Sequence, residues 1–334
     1  MDAEGRRPPF YLGIDLGGTN IKAGVVDDAG RPASSVSLET RAARGPEVGL
    51  ATLDRAGRLA VAGSGLSWDD VASVGLGTPG TMDIQAGLLL EPPNLPGWDN
   101  LPIRDLLADR LGKPTILQND ANAAAYGEYW VGAGRGSRSL VMFTLGTGIG
   151  CGVIEEGRII EGRNSHGAEC GHIIIQMEGG RICPCGGVGH LEAYASATAL
   201  VKRAVEAIET ETGSLLYTLY ERGGLTSRAI NEAANAGDPL AVRLMRETAR
   251  YLAVGTATLM HTIDPDIILF GGGMIAAGDR FLNDIRSDIH RLAFPTPAKQ
   301  TRVAYAQLGG DAGFIGAAGC ARLAHRAAAA LVSA

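Results

Sequence analysis

The residues best placed to do chemistry cluster in one short stretch. Residues 181–192, RICPCGGVGHLE, bring Cys183, Cys185, His190 and Glu192 together among glycines. Such a set fits a redox thiol pair, a metal site, or two buried thiols in a tight loop. Cys-x-Cys is not the thioredoxin spacing, and a two-thiol switch would leave His190 and the glycines without a part. Just upstream, GAECGH adds Glu169 and His172. Carboxylates and an imidazole can bind vicinal hydroxyls in pairs, so Glu169, His172 and Glu192 are candidate sugar ligands. The plainer alternative is that the acids are solvated surface charges.

A second chemistry is signalled at Asn119-Asp120, where the apolar run PTILQ meets the alanine-rich ANAAAYGEY. Asn and Asp are good helix caps, and an isolated pair needs no other explanation. A carboxylate at the C-terminal end of a strand is also placed to accept a hydroxyl proton during phosphoryl transfer. Candidate phosphate sites support the second role. The chain has no G-x-x-x-x-G-K-[ST] loop, and GLGTPG at 75–80 matches the dinucleotide pattern only formally. Pro79 interrupts it, and glycines and prolines break up the stretch to Trp98. Two other turns serve better. DLGGTN offers backbone N–H groups of Gly17, Gly18 and Thr19, with Asp15 able to hold Mg²⁺ through water. GTGIG offers the same from Gly146, Thr147 and Gly148, and Gly271, Gly272 and Gly273 after DIILF would let a base or ribose lie against backbone.

The elements that must hold these groups follow from apolar patterning. FYLGIDLGGTNIKAGVVDD predicts two strands around a glycine turn, and Val36–Thr40 a third strand. Helical spacing covers Pro46–Ala62, Ile103–Leu111 and Pro239–Ile263, and an alanine-rich helix ends the chain. Strands are predicted at VASVGLG, PTILQ, SLVMFTL, DIILF and Arg302–Tyr305. IDLGGTNIKAGVVDDAGR and FTLGTGIGCGVIEEGR echo one another, which predicts two related half-domains facing each other across a cleft.

Composition sets the outer bounds. A chain of 334 residues is long for one core and predicts two domains. The net charge of −6 gives no electrostatic case for nucleic acid or an anionic membrane as partner. Five cysteines, an odd number, argue against a secreted disulfide framework. The first nine residues contain no apolar core of a signal peptide, and the apolar runs are too short to span a bilayer, so a cytoplasmic protein is expected.

Taken together, DLGGTN, NDANAAAYGE, GTGIG, GAECGH and CPCGGVGHLE resemble the ROK family of repressors and sugar kinases, its bacterial glucokinases most of all. The motifs occur in family order from Tyr11 to GGDAGFIGAA. The resemblance implies an α/β, actin-like ATPase fold (ribonuclease H-like), with two lobes of mixed five-stranded sheets. Residues 1–119, completed by about 311–334, would form the small lobe, and 120–310 the large lobe with a zinc-binding loop.

It further implies ATP, Mg²⁺ and γ-phosphoryl transfer to a hexose, most simply O6 of glucose. By position, Asp120 would be the general base and Asn119, Glu169, His172 and Glu192 would bind the sugar. Gly77 to Gly80 would lie on the sugar side, with Asn94 nearby. The turns at 17–20, Asn20 included, and at 146–148 would face the phosphates, and Gly271 to Gly273 the adenosine. A structural Zn²⁺, held in the family by one histidine and three cysteines, would here take His172, Cys183, Cys185 and His190. Zinc accepts such a Cys₂His₂ set.

Kinases for N-acetylmannosamine, N-acetylglucosamine, fructose or allose share these motifs, and polyphosphate could replace ATP as donor. Family repressors carry a helix-turn-helix domain ahead of the first glycine turn, whereas only about ten residues precede the first strand here, which disfavours that role. A homodimer or homotetramer is implied by the resemblance alone.

Overall fold

The computed structural model describes residues 8–92 and 95–332. Its first strand, β1 (Phe10–Leu16), shows how alternation builds one half of the molecule. Leu12, Ile14 and Leu16 enter a core with Leu50, Leu53 and Ala56 of α1 (Pro46–Ser64). Tyr11, on the opposite face, packs with Phe314 and Ile315 of the terminal helix, Ala312–Val332. This period of two puts Gly13 and Asp15 on the terminal-helix side as well. Gly13 has to be glycine, because a Cβ there would overlap the Phe314 carbonyl. Gly13→Ala is therefore expected to destabilise the protein by about 2–3 kcal/mol through overpacking, read as a lower urea midpoint. An unchanged midpoint would show that the helix seat is loose.

β1 pairs antiparallel with β2 (Asn20–Asp27), and β2 with β3 (Val36–Glu39). On its other side β1 runs parallel to β4 (Val71–Thr78). β5 (Thr81–Asp83) and β6 (Leu88–Glu91) form a separate hairpin, and β7 (Thr115–Asn119) pairs parallel with β4. α2 (Ile103–Leu111) covers the sheet on the α1 side, and β7 leads directly into α3 (Asp120–Val131). A second sheet contains β8 (Ser139–Leu145), β9 (Ile149–Glu155), β10 (Arg158–Ile159), β11 (Ile267–Gly271) and β12 (Arg302–Tyr305). The orders are β3-β2-β1-β4-β7 and β10-β9-β8-β11-β12, so the echo between the two hairpin sequences reflects the same strand order used twice. Among the described residues no helix is long and apolar enough to cross a membrane.

The chain divides into two compact units. One holds the described residues through Gly136, 152–168 and those from Gln307 onward; the other holds 137–151 and 169–306. The expected boundary at 119/120 thus moves, and α3 stays with the first unit. The reason is packing: a Cβ on Gly316 of the terminal helix would overlap the Ala123 carbonyl of α3, so the two helices touch backbone to backbone. A buried carboxylate moves the other boundary from 311 to 307. Glu128 of α3 is fully buried and accepts from the N–H groups of Gln307 at 2.8 Å and Leu308 at 2.6 Å. Residues 152–168 join the first unit in part because Gly152 lies directly on Ala121, Asn122 and Ala125.

Candidate active site and metal-ligand cluster

In the first unit the β1–β2 turn is pinned from two sides. Gly17 donates its N–H to the Asn20 carbonyl at 2.9 Å, and Thr40 holds the turn through its N–H to Thr19 O and its hydroxyl to Gly17 O. The N–H of Gly17 is therefore spent on closing the hairpin, which leaves Gly18 and Thr19, both exposed, as the donors a phosphate would meet. The second turn repeats this: Gly146 donates to the Gly148 carbonyl at 3.0 Å, leaving Thr147 and Gly148. Sequence alone could not tell which glycine N–H each turn consumes.

Asp15 lies half-buried against Gly313, at the start of the terminal helix. Burial pushes its carboxyl up to about 6, with Lys22 partly opposing the shift. Lys22 is itself held by the Gly310 carbonyl at 2.8 Å and Asp311 at 3.1 Å. The folded chain holds this proton more tightly than the unfolded one does. Asp15 therefore contributes most to stability below pH 4, and that contribution is lost as pH rises through 6. Asp15→Asn removes the cost borne by the ionised form. It is expected to stabilise the protein by about 1–2 kcal/mol at pH 7.5, with solvent screening allowed for, and by almost nothing at pH 4. Urea melts at the two pH values check this; an equal gain at both would refute the linkage.

At the end of β7, Asn119 acts as a helix cap: its Oδ1 accepts from Ala121 N at 2.9 Å and Asn122 N at 3.1 Å. Asp120 opens α3 and accepts from Ala121 N at 2.8 Å, so the pair is anchored to the backbone of the first helical turn. The register Gly77↔Gln118 and Thr78↔Asn119 brings the GLGTPG loop alongside. Gly77 stands next to Asp120, and Gly80, at φ +89°, packs against Pro92. Asn94 lies outside the described residues.

In the second unit His172, Cys183, Cys185 and His190 converge, with one donor atom from each lying within 4.8 Å of all the others. Cys183 Sγ is 3.7 Å from His172 Nδ1, and Cys185 Sγ is 3.2 Å from His190 Nδ1. Tetrahedral zinc with its usual bond lengths requires sulfur–nitrogen edges of about 3.5 Å, which these bracket. The donors are thus preorganised for a Cys₂His₂ ion. Bridges Ile174↔His190 and Ile182↔Val188 shape the loop, and Arg181 N donates to Tyr194 Oη at 2.7 Å. Gly187 leaves room for the His190 ring, which any Cβ would strike. Burial pushes the Cys183 thiol up to about 12, so a bound metal ion would have to displace its proton.

The other ring nitrogen of His172, Nε2, lies 3.9 Å from Glu169 Oε2. Glu192 begins α4 (Glu192–Ala195) and is tied to the second glycine turn. Its Oε2 accepts from Ile149 N at 2.8 Å, while Oε1 faces Cys183 Sγ at 3.5 Å. One carboxylate thus links the cysteine loop to the GTGIG turn, a connection that residue spacing does not reveal. After β11, Gly272 takes φ +84° and packs on Leu145, whereas Gly273 borders open space.

Two mixed sheets of identical strand order, each carrying a glycine turn between its first two strands, define a two-lobed, actin-like α/β protein. The chain belongs to the ROK family, whose pattern spans residues 11–324. It is 36% identical over 308 residues to the glucokinase of Halalkalibacterium halodurans, covering 92% of this chain and 93% of that one. Among solved structures it resembles the ROK hexokinase of Thermus thermophilus, with TM-score 0.83 and 34% identity over 95% of this chain and 99% of that one. The ROK glucokinase of Streptomyces griseus, solved with glucose and AMPPNP, matches with TM-score 0.78 and 37% identity over 94% and 99% of the two chains.

Proposed function

We propose that this protein is a glucokinase that transfers the γ-phosphoryl group of ATP to O6 of glucose. The observation that carries the reading is the 37% identity, over nearly the whole chain, to a glucokinase solved with glucose and AMPPNP. Asp120 is the general base: as O6 bonds to phosphorus and the bond to ADP breaks, its carboxylate takes the O6 proton. Asn119, Glu169, His172 and Glu192 hold the sugar hydroxyls, and Gly80 of the GLGTPG loop is a further sugar-binding residue. Gly18, Thr19, Thr147 and Gly148 would donate N–H groups to the phosphates, Asp15 would hold Mg²⁺ through water, and Gly273 would border the adenosine.

His172, Cys183, Cys185 and His190 would hold a structural Zn²⁺, which would tie the turn carrying His172 to the cysteine loop that leads into Glu192. Were Nδ1, the nitrogen nearer Cys183, to ligate the metal, His172 would keep Nε2 for a hydroxyl. A coupled assay with ATP across glucose, fructose, allose, N-acetylmannosamine and N-acetylglucosamine tests the substrate. The highest kcat/KM is expected for glucose; a higher value for an N-acetylated sugar would reassign the enzyme.

A further inference from the structure

Gln118 is the last residue of β7 before the Asn119-Asp120 pair, and it is only 2% exposed. Its carboxamide is used at both ends. Nε2 donates to Glu161 Oε1 at 2.7 Å, while Oε1 accepts from the backbone N–H of Asn119 at 2.8 Å and from Asn122 Nδ2 at 3.2 Å. Asn122 is itself 3% exposed and lies in the first turn of α3. A buried amide in this state is locked, because each broken bond would leave a buried polar atom unpaired.

Glu161 decides which way the amide points. A carboxylate only accepts, so it draws the NH₂ group to itself and leaves the carbonyl for the two donors at the head of α3. The reverse orientation would set oxygen against oxygen at Glu161 and NH₂ against two N–H groups. Glu161 lies 43 positions beyond Gln118, outside every motif. Its own segment is anchored by Gly167 N donating to the Glu161 carbonyl at 2.7 Å and by Ser165 Oγ accepting from Ile84 N at 3.0 Å.

We propose that Glu161 and Gln118 are positioning residues for Asp120: Glu161 orients Gln118, and Gln118 fixes the β7–α3 junction that presents the base. The proposal rests on Asp120 being the base. It requires kcat to respond to both residues more strongly than glucose KM: a base displaced by a fraction of an ångström loses rate, while of the sugar ligands only Asn119 sits on the same junction.

The test is a charge-swap cycle on the full-length enzyme, with melting temperatures recorded for every variant. Gln118→Glu sets a carboxylate against Glu161 and is expected to lower kcat about 10–100-fold, with glucose and ATP KM changed by less than about 3-fold. Glu161→Ala, in a surface loop, should lower kcat in the same way. The double variant Gln118→Glu/Glu161→Gln rebuilds every bond with the roles reversed, and kcat should return to within about 3-fold of wild type. Should Gln118→Glu fail to fold, Glu161→Ala and the double variant carry the comparison. Wild-type kcat in the single variants, or a folded double variant as slow as Gln118→Glu, would overturn the proposal. Asp120→Asn separates the two readings. If it is inactive while both single variants are normal, only the positioning role fails; if it is fully active, the assignment of the base fails.

Discussion

Asp120→Asn is expected to lower kcat about 10²–10⁴-fold, the range that a positioned general base contributes. Asparagine is nearly isosteric and can still accept the Ala121 N–H through its amide oxygen, so the first turn of α3 should survive. It cannot take up the O6 proton at any working pH. The loss should therefore fall on kcat, while glucose KM moves little, because Asn119, Glu169, His172 and Glu192 are untouched. Calorimetric binding of glucose by the inactive variant checks this. A variant that has lost glucose affinity as well would make Asp120 a sugar ligand first and a base second.

The second large effect is expected from the Cys–His cluster. Removal of zinc by a chelator, or Cys183→Ala, should raise glucose KM about 10–100-fold while leaving the KM for ATP near its wild-type value. His172 meets this loop at Cys183, Glu192 follows directly after it, and Glu192 also accepts from Ile149 N at 2.8 Å. Disordering the loop would therefore affect the proposed hydroxyl ligands His172 and Glu192 first and the GTGIG turn second. Elemental analysis should find one zinc per chain in the wild type and a loss of it in the variant, with a lower melting temperature in both metal-free forms. A metal-free preparation with unchanged glucose kinetics and stability would refute the zinc assignment.

Much of this architecture is legible in the residues, for identifiable reasons. The β1–β2 hairpin is evident because two apolar runs flank DLGGTN, and α2 emerges with the bounds that its spacing predicts, Ile103–Leu111. The echo between the two glycine hairpins predicts related halves, and the shared strand order agrees with it. The β5–β6 hairpin is harder to read. Its strands are three and four residues long, too short for a pattern, although Met82 and Leu89 are buried.

At the site, Cys183, Cys185 and His190 declare themselves by spacing, but His172 is eleven positions before Cys183 and joins them only through the family resemblance or the fold. The cap reading of Asn119 is what the structure shows, and a side chain that caps through Oδ1 still has its NH₂ group for a ligand. The Gln118–Glu161 bond has no sequence signal, because nothing local to either residue anticipates a partner in another part of the chain. Unit boundaries are equally hidden. Whether α3 belongs with the residues before or after it depends on the fit of Gly316 against Ala123, which lies far off in sequence.

The most direct measurement is single-turnover formation of glucose 6-phosphate, with enzyme in excess over labelled ATP and glucose saturating, for the wild type and Asp120→Asn side by side. The wild type is expected to form labelled glucose 6-phosphate within about a second, and the variant at least about 100-fold more slowly despite bound glucose. No labelled sugar phosphate from the wild type, or equal rates from the two proteins, would contradict a glucokinase in which Asp120 is the base.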